Sequence, residues 1–185
     1  MNINNIIIYF SIAFLIICYS NLGLRYYTTL TGVRIDQYKE KKCAEKWIIN
    51  TLETNTWEIN EITDEEKIKG LPPIKIRLMF SKLLPCISNV KIYNNTKYIS
   101  NNTVAYVVPK YNNNIMWVVS MKWETMSIEE KAYSIIHECT HLALQTHDYA
   151  YVSQEKYQNL RGYNATHNAD TLSNIIFKSN INNLC

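Results

Sequence analysis

The segment from Ser127 to Leu144 restricts this chain more than any other. Ser127-Ile128-Glu129-Glu130 is a capping box: the serine hydroxyl accepts from backbone N–H groups at a helix start, and Glu130 reaches back. Ile128, Ala132, Ile135, Ile136, Cys139, Leu142 and Ala143 then recur at helical spacing and give the helix one apolar side, down to about Leu144.

The 185 residues suffice for one domain with a real core and are too few for two comfortable ones. The formal net charge is +3 and no Lys/Arg run stands out, which argues against a nucleic-acid partner. Ile6 to Cys18 is a nearly unbroken apolar run. It has the length of a signal-peptide core and falls short of the roughly 20 residues that a spanning helix needs. Cys18-Tyr19-Ser20 offers small residues for cleavage after Ser20, although residues 1–5 carry no Lys or Arg. The expectation is a signal peptide over residues 1–20 and a secreted, extracellular, monomeric protein. The alternative is an uncleaved signal-anchor, and only then a membrane. Residues 21–33 read as a linker or short pro-region, and residues 34–185 as the folded domain.

Ahead of the capped helix, residues suited to a helix run from Val33 to about Leu52, with Tyr38, Ala44, Trp47, Ile48 and Leu52 on its apolar side. Glu58 to Lys69 is acidic and polar, hence surface. Ile74 to Leu84 suits a second helix, ended near Pro85. Val90–Tyr93, Thr103–Val108 and Ile115–Met121 read as strands parted by Asn-rich turns, the last two as a hairpin. Beyond Cys18 the cysteines are Cys43, Cys86, Cys139 and Cys185. Cys139, in the middle of the capped helix, is expected to be a buried free thiol, leaving at most one disulfide among the other three.

The same helix carries His137-Glu138-Cys139-Thr140-His141. His137 and His141 stand four apart and project the same way, so both imidazoles can bind one zinc ion. Glu138 lies about 100° round the helix, outside that ligand pair but close enough to take a proton from a zinc-activated water. Cys139 lies about 200° round, on the core side. A catalytic zinc needs a third protein ligand and an open position. His147 stands where a longer histidine motif puts its third ligand, but that motif needs a Gly where Leu144 stands and a later Met, and none follows Met126. Glu155 is fourteen residues past His141, a short spacing for a ligand on a second helix. Asp148, seven past His141, leaves just enough chain to exit the helix and fold back.

Several of these residues together resemble the aspzincin family, the deuterolysin and peptidyl-Lys metalloendopeptidases. Thr146-His147-Asp148-Tyr149-Ala150-Tyr151 is similar to the family signature Gly-Thr-x-Asp-x-x-Tyr-Gly, with Gln145 and Val152 in place of its two glycines. Asn168-Ala169-Asp170 resembles a downstream Asn-Ala-Asp, Val104 to Pro109 an upstream Ala-Tyr-x-x-Pro strand, and Trp123 an aromatic before the active-site helix. The resemblance covers roughly residues 100–180.

It implies an α+β, zincin-like domain with N-terminal helices, a small mainly antiparallel sheet and an active-site helix. It implies one zinc ion on His137, His141 and Asp148, Glu138 as general base and then proton donor, and Tyr151 as hydrogen-bond donor to the oxyanion. Protein or peptide substrates follow. Asp170 corresponds to the acid that meets a basic P1' side chain, with orientation of a zinc-binding histidine as its alternative role. Ser173 replaces a second acid found in the Lys-specific members, which loosens that preference. The resemblance also implies a Cys43–Cys86 disulfide with Cys185 alone, pairing with Cys185 being the alternative. Two other functions are weighed beside the peptidase. One is a secreted binding protein on the same scaffold without catalysis; the other is a structural zinc protein with His167 as fourth ligand.

Overall fold

The computed structural model describes residues 34–54, 71–95, 103–111, 114–183 and 185. The segments 1–20, 21–33 and 58–69 lie outside the described residues. In chain order, β1 (Arg34–Ile35) is followed by helices α1 (Tyr38–Thr54), α2 (Pro73–Ser81) and α3 (Leu83–Asn89). Strands β2 (Lys91–Asn95), β3 (Ala105–Val107) and β4 (Ile115–Val119) come next, with a 3-10 turn at Pro109–Tyr111. The short α4 (Ser120–Trp123) leads to α5 (Ile128–Leu144), then α6 (Glu155–Gln158), α7 (Gly162–Thr166) and α8 (Ala169–Lys178). This is the α+β architecture expected of a zincin-like domain.

The sheet runs β1-β2-β4-β3. β3 and β4 pair antiparallel, Ala105 opposite Val118 and Val107 opposite Met116, as a hairpin requires. β1 and β2 are antiparallel too, whereas β2 and β4 are parallel, Lys91 to Ile115 through Asn95 to Val119. Ile92, Met116 and Val118 face the main core. On the other face Trp117 sits in register with Tyr93 and Tyr106, ring centroids 5.4 and 6.5 Å away, a cross-strand aromatic row. β3 is left as one edge of the sheet and the short β1 as the other.

The core centres on α5, which packs against α1, α3, α8 and β3. Ala132, Ile135, Ile136 and Cys139 of α5 meet Trp47 and Ile48 of α1, Leu83 and Ile87 of α3, and Leu172, Ile175 and Ile176 of α8 in one buried cluster. The capping box forms as expected. Ser127 Oγ accepts the Glu130 N–H at 3.1 Å, and the Ser127 N–H donates to Glu130 Oε2 at 2.7 Å.

Local expectations shift where tertiary demands outweigh them. Arg34–Ile35 joins the sheet instead of starting the first helix, because β2 takes a partner there. Tyr38 is 64% exposed rather than on the apolar side, with the Lys42 ammonium over its ring at 5.8 Å. Pro85 does not end the second helix. It lies in the first turn of α3, where its missing N–H has no intrahelical acceptor to lose.

The cysteines correct three expectations at once. Cys139 is buried on the core side, but it is not a free thiol: that side meets α3, and it pairs with Cys86, Cα–Cα 5.8 Å. Cys43 therefore does not pair with Cys86. It pairs with Cys185, the alternative raised above, Cα–Cα 5.7 Å, tying α1 to Cys185. Among the described residues there are two disulfides rather than at most one, and Cys185 is not alone.

The end of α5 shows how the chain does without the first signature glycine. Gln145 adopts φ 56°, ψ 39°, the left-handed region, and its N–H donates to Thr140 O. Val152 takes no positive φ. A side chain at a left-handed position costs about 1–2 kcal/mol, part of which glycine's extra chain entropy cancels. Gln145→Gly is therefore expected to stabilise the fold by about 0.5–1 kcal/mol, raising Tm by about 2 °C in a thermal melt. Non-reducing peptide mapping is expected to recover Cys86–Cys139 and Cys43–Cys185 linked peptides. Replacing Cys86 and Cys139 together by alanine should lower the unfolding free energy by about 2–4 kcal/mol in a denaturant titration.

Candidate metal centre and active site

α5 carries its polar residues on the side away from the core. His137, Glu138 and His141 lie there, 7%, 6% and 9% exposed, one helical turn covering all three. The two imidazoles stand edge to face, centroids 5.0 Å apart. The chain turns at Gln145 and comes back over them, which brings Asp148 into reach. Asp148 Oδ1 is 3.1 Å from His137 Nε2 and 3.3 Å from His141 Nε2.

The opposite ring nitrogens are also engaged. His141 Nδ1 is 2.9 Å from the carbonyl oxygen of Thr146, which only accepts, so that nitrogen carries the proton. Thr146 is itself buried, and its hydroxyl meets Thr140 Oγ1 at 2.7 Å. His137 Nδ1 is 3.3 Å from Asp170 Oδ1. A ring whose Nδ1 donates presents its Nε2 lone pair on the other side. Two such lone pairs and a carboxylate oxygen point at one another.

Acceptors gathered this closely need positive charge between them, from a proton or from a metal ion. Burial works against protonating His137, but hydrogen bonding to Asp148 and Asp170 carries it up to about 10. Asp148, despite partial burial, is held well below the usual carboxylate range by hydrogen bonds from both histidines. Among the described residues, His137, His141 and Asp148 form the group that can hold a metal ion, their ligand atoms within 4.8 Å of one another. Two imidazole nitrogens and one carboxylate oxygen are a donor set that suits zinc and leaves a position open. The residues present fit the metal.

The group opens into a cleft of about 800 Å³. One wall is Thr103 to Val107, the edge strand and its approach; the other is Tyr133, Ser134, His137, Glu138 and His141 of α5. Burial raises the Glu138 carboxyl, opposed by the two histidines and by the Val107 N–H. Tyr151 stacks on His137, centroids 6.1 Å apart and planes 13° from parallel. Its hydroxyl is pushed up to about 12, by burial first and then by Asp148, to which it donates. It therefore stays protonated and able to donate.

Asp170 is 5% exposed at the cleft wall. Its Oδ1 accepts from Tyr133 Oη at 2.6 Å as well as facing His137, and its Oδ2 accepts the Val152 N–H at 2.5 Å. Those hydrogen bonds lower its carboxyl in spite of burial. Ser173 is buried, and its hydroxyl donates to Ala169 O within α8 at 2.9 Å.

The other candidates are elsewhere. His147 is exposed, with its ring against Tyr149 at 5.6 Å. Glu155 is exposed at the start of α6. His167 stacks on Tyr163 at 3.8 Å, its Nδ1 close to Thr166 Oγ1 and Tyr163 O. Sequence reasoning gave no role to Thr146, Tyr133 or Asn168. Thr146 and Asn168 lie inside the two quoted motifs, a signal that they do something. Tyr133 lies one turn before His137 on α5, and its hydroxyl has no sequence signature.

No curated protein matches the chain. A family model does, the aspzincin model described as lysine-specific metallo-endopeptidase, over residues 77–174, just over half of the chain. That stretch takes in α3, the β2–β4 sheet, the whole of α5, the Asp148 loop and the start of α8. With the zinc-fitting donor set inside it, the chain belongs to the aspzincin family of zinc-dependent metalloendopeptidases.

Proposed function

We propose that His137, His141 and Asp148 hold the zinc ion of this endopeptidase, and that Glu138 and Tyr151 manage proton and charge during peptide-bond hydrolysis. The observation that carries this is the convergence of His137 Nε2, His141 Nε2 and Asp148 Oδ1 beside a buried glutamate in an open cleft. Zinc bound there supplies Lewis acidity, making water more acidic and polarising a carbonyl.

The chain's own residues do the rest. Glu138 accepts a proton from the attacking water and passes it to the leaving amine nitrogen; burial, which raises its carboxyl, makes it a better proton holder between the two transfers. Tyr151 donates to the oxygen that becomes negative as the carbonyl carbon turns tetrahedral. The substrate lies extended along β3, whose open edge offers backbone groups for strand addition next to Glu138.

Asp170 acts first on His137, holding its Nδ1 proton and so the direction of Nε2. A basic P1' side chain is left with that one engaged carboxylate, so preference for lysine is weak. For residues 1–20 we propose an export signal, supported by the apolar run Ile6–Cys18 and by two disulfides in the described domain, which suit an oxidising compartment. Among the described residues no helix is long and apolar enough to cross a membrane.

Glu138→Gln is expected to keep one zinc per chain by metal analysis and to lose about 10²–10⁴ in kcat/KM on a denatured protein substrate. A variant with wild-type turnover sinks Glu138 as the base. Asp148→Ala should weaken zinc binding, while His147→Ala should not; the reverse result in a chelator competition reassigns the third ligand. In a peptide library, lysine at P1' is expected to gain about fivefold or less over neutral residues, because the one carboxylate it meets is already engaged by three donors.

A further inference from the structure

Asp148 reaches the two imidazoles from a loop, and a loop holds a ligand accurately only when something pins it. One side chain does so here. Asn168 precedes α8 and is fully buried. Its Oδ1 accepts the backbone N–H of Tyr149 at 2.9 Å and of Ala150 at 3.1 Å, the two residues after Asp148. Its Nδ2 donates to Ala150 O at 2.9 Å and to Thr171 Oγ1 at 3.1 Å. Both donors and both lone pairs of the amide are used, which no other residue of this size can do.

The main chain on the other side of Asp148 is tied to the same place. The His147 N–H donates to His167 O at 2.8 Å, and the Ala169 N–H donates to His147 O at 3.0 Å, a parallel bridge of His147 with Asn168. Asp148 is thus clamped at its preceding and following residues against the start of α8, the helix that also carries Asp170. One short segment therefore fixes two features of the metal group, the third ligand through Asn168 and the orientation of His137 through Asp170.

We infer that Asn168 is a positioning residue of the zinc site, holding the 147–150 loop so that the Asp148 carboxylate stays on His137 and His141. This role presupposes that those three residues are the ligands. It acts through backbone geometry and touches neither substrate nor metal.

The test compares Asn168→Ala, Asn168→Asp and Asp148→Ala in the full chain, with zinc and cobalt(II) as probes. Asn168→Asp keeps the acceptor and loses both donors. The readouts are zinc affinity by chelator competition, the visible spectrum of the cobalt(II) form, and near-UV circular dichroism for the fold. Asn168→Ala is expected to weaken zinc by about 10–100-fold and shift the cobalt spectrum, as removal of an outer-shell partner does, with Asn168→Asp intermediate. Should Asn168→Ala not fold, the Asp variant is judged by the same readouts. A folded Asn168 variant that has lost thermal stability but keeps wild-type zinc affinity and cobalt spectrum overturns the inference: the amide is then structural only. Wild-type zinc affinity in Asp148→Ala overturns the ligand assignment itself, a separate failure.

Discussion

Two imidazole lone pairs and a carboxylate oxygen within 4.8 Å of one another form an arrangement that repels itself, and the fold around it is organised to hold it. Each acceptor is set by a group behind it. Thr146 O fixes the proton of His141, Asp170 that of His137, and the clamped loop fixes Asp148. Such second contacts turn three polar side chains into a site that wants a cation, and hydrogen bonding to the same carboxylates raises His137. The chemistry available to the chain follows from that preorganisation more than from any single ligand.

The frame that bears the two histidines is correspondingly stiff. α5 is held at its start by the Ser127–Glu130 box, at its middle by the Cys86–Cys139 bridge, and at its end by the left-handed turn at Gln145. Cys139 follows Glu138 directly, so the bridge anchors the core side of the very turn whose opposite side carries the metal group. A helix fixed at both ends and in its middle loses little further freedom when it binds a metal or a substrate. The fully buried cluster of Trp47, Ile135, Leu172 and Ile175 adds packing on that same core side.

What the residues disclosed in advance was local and periodic. The box, the apolar stripe and the four-residue histidine spacing are properties of one helix, so they could be read without neighbours. The β3–β4 hairpin was legible for the same reason, from strand-like runs parted by turn residues. What failed depended on the approach of distant segments. Cys139 was correctly put on the core side, but its partner depended on α3 arriving there, which spacing does not encode. The Arg34–Ile35 strand exists only because β2 offers an edge. At the site, Tyr133 meets Asp170 across thirty-seven residues, and no motif marks such a pair.

Asp170 shows how one residue's duties limit each other. A carboxylate has about four lone-pair sites, and here Tyr133, Val152 and His137 take three of them. Each donor draws off negative potential that a substrate cation would otherwise meet. In a pocket with two acids, one can orient the histidine while the other faces the substrate. Ser173 removes that division of labour: it is buried, uncharged and bonded within its own helix. The remaining acid cannot serve cation recognition fully without loosening His137, and loosening His137 would disturb the metal group. If Asp170 is the acid that a substrate cation meets, the physical pressure falls on specificity rather than on hydrolysis, and the proposed peptide-cleaving arrangement carries a weaker demand for a basic side chain.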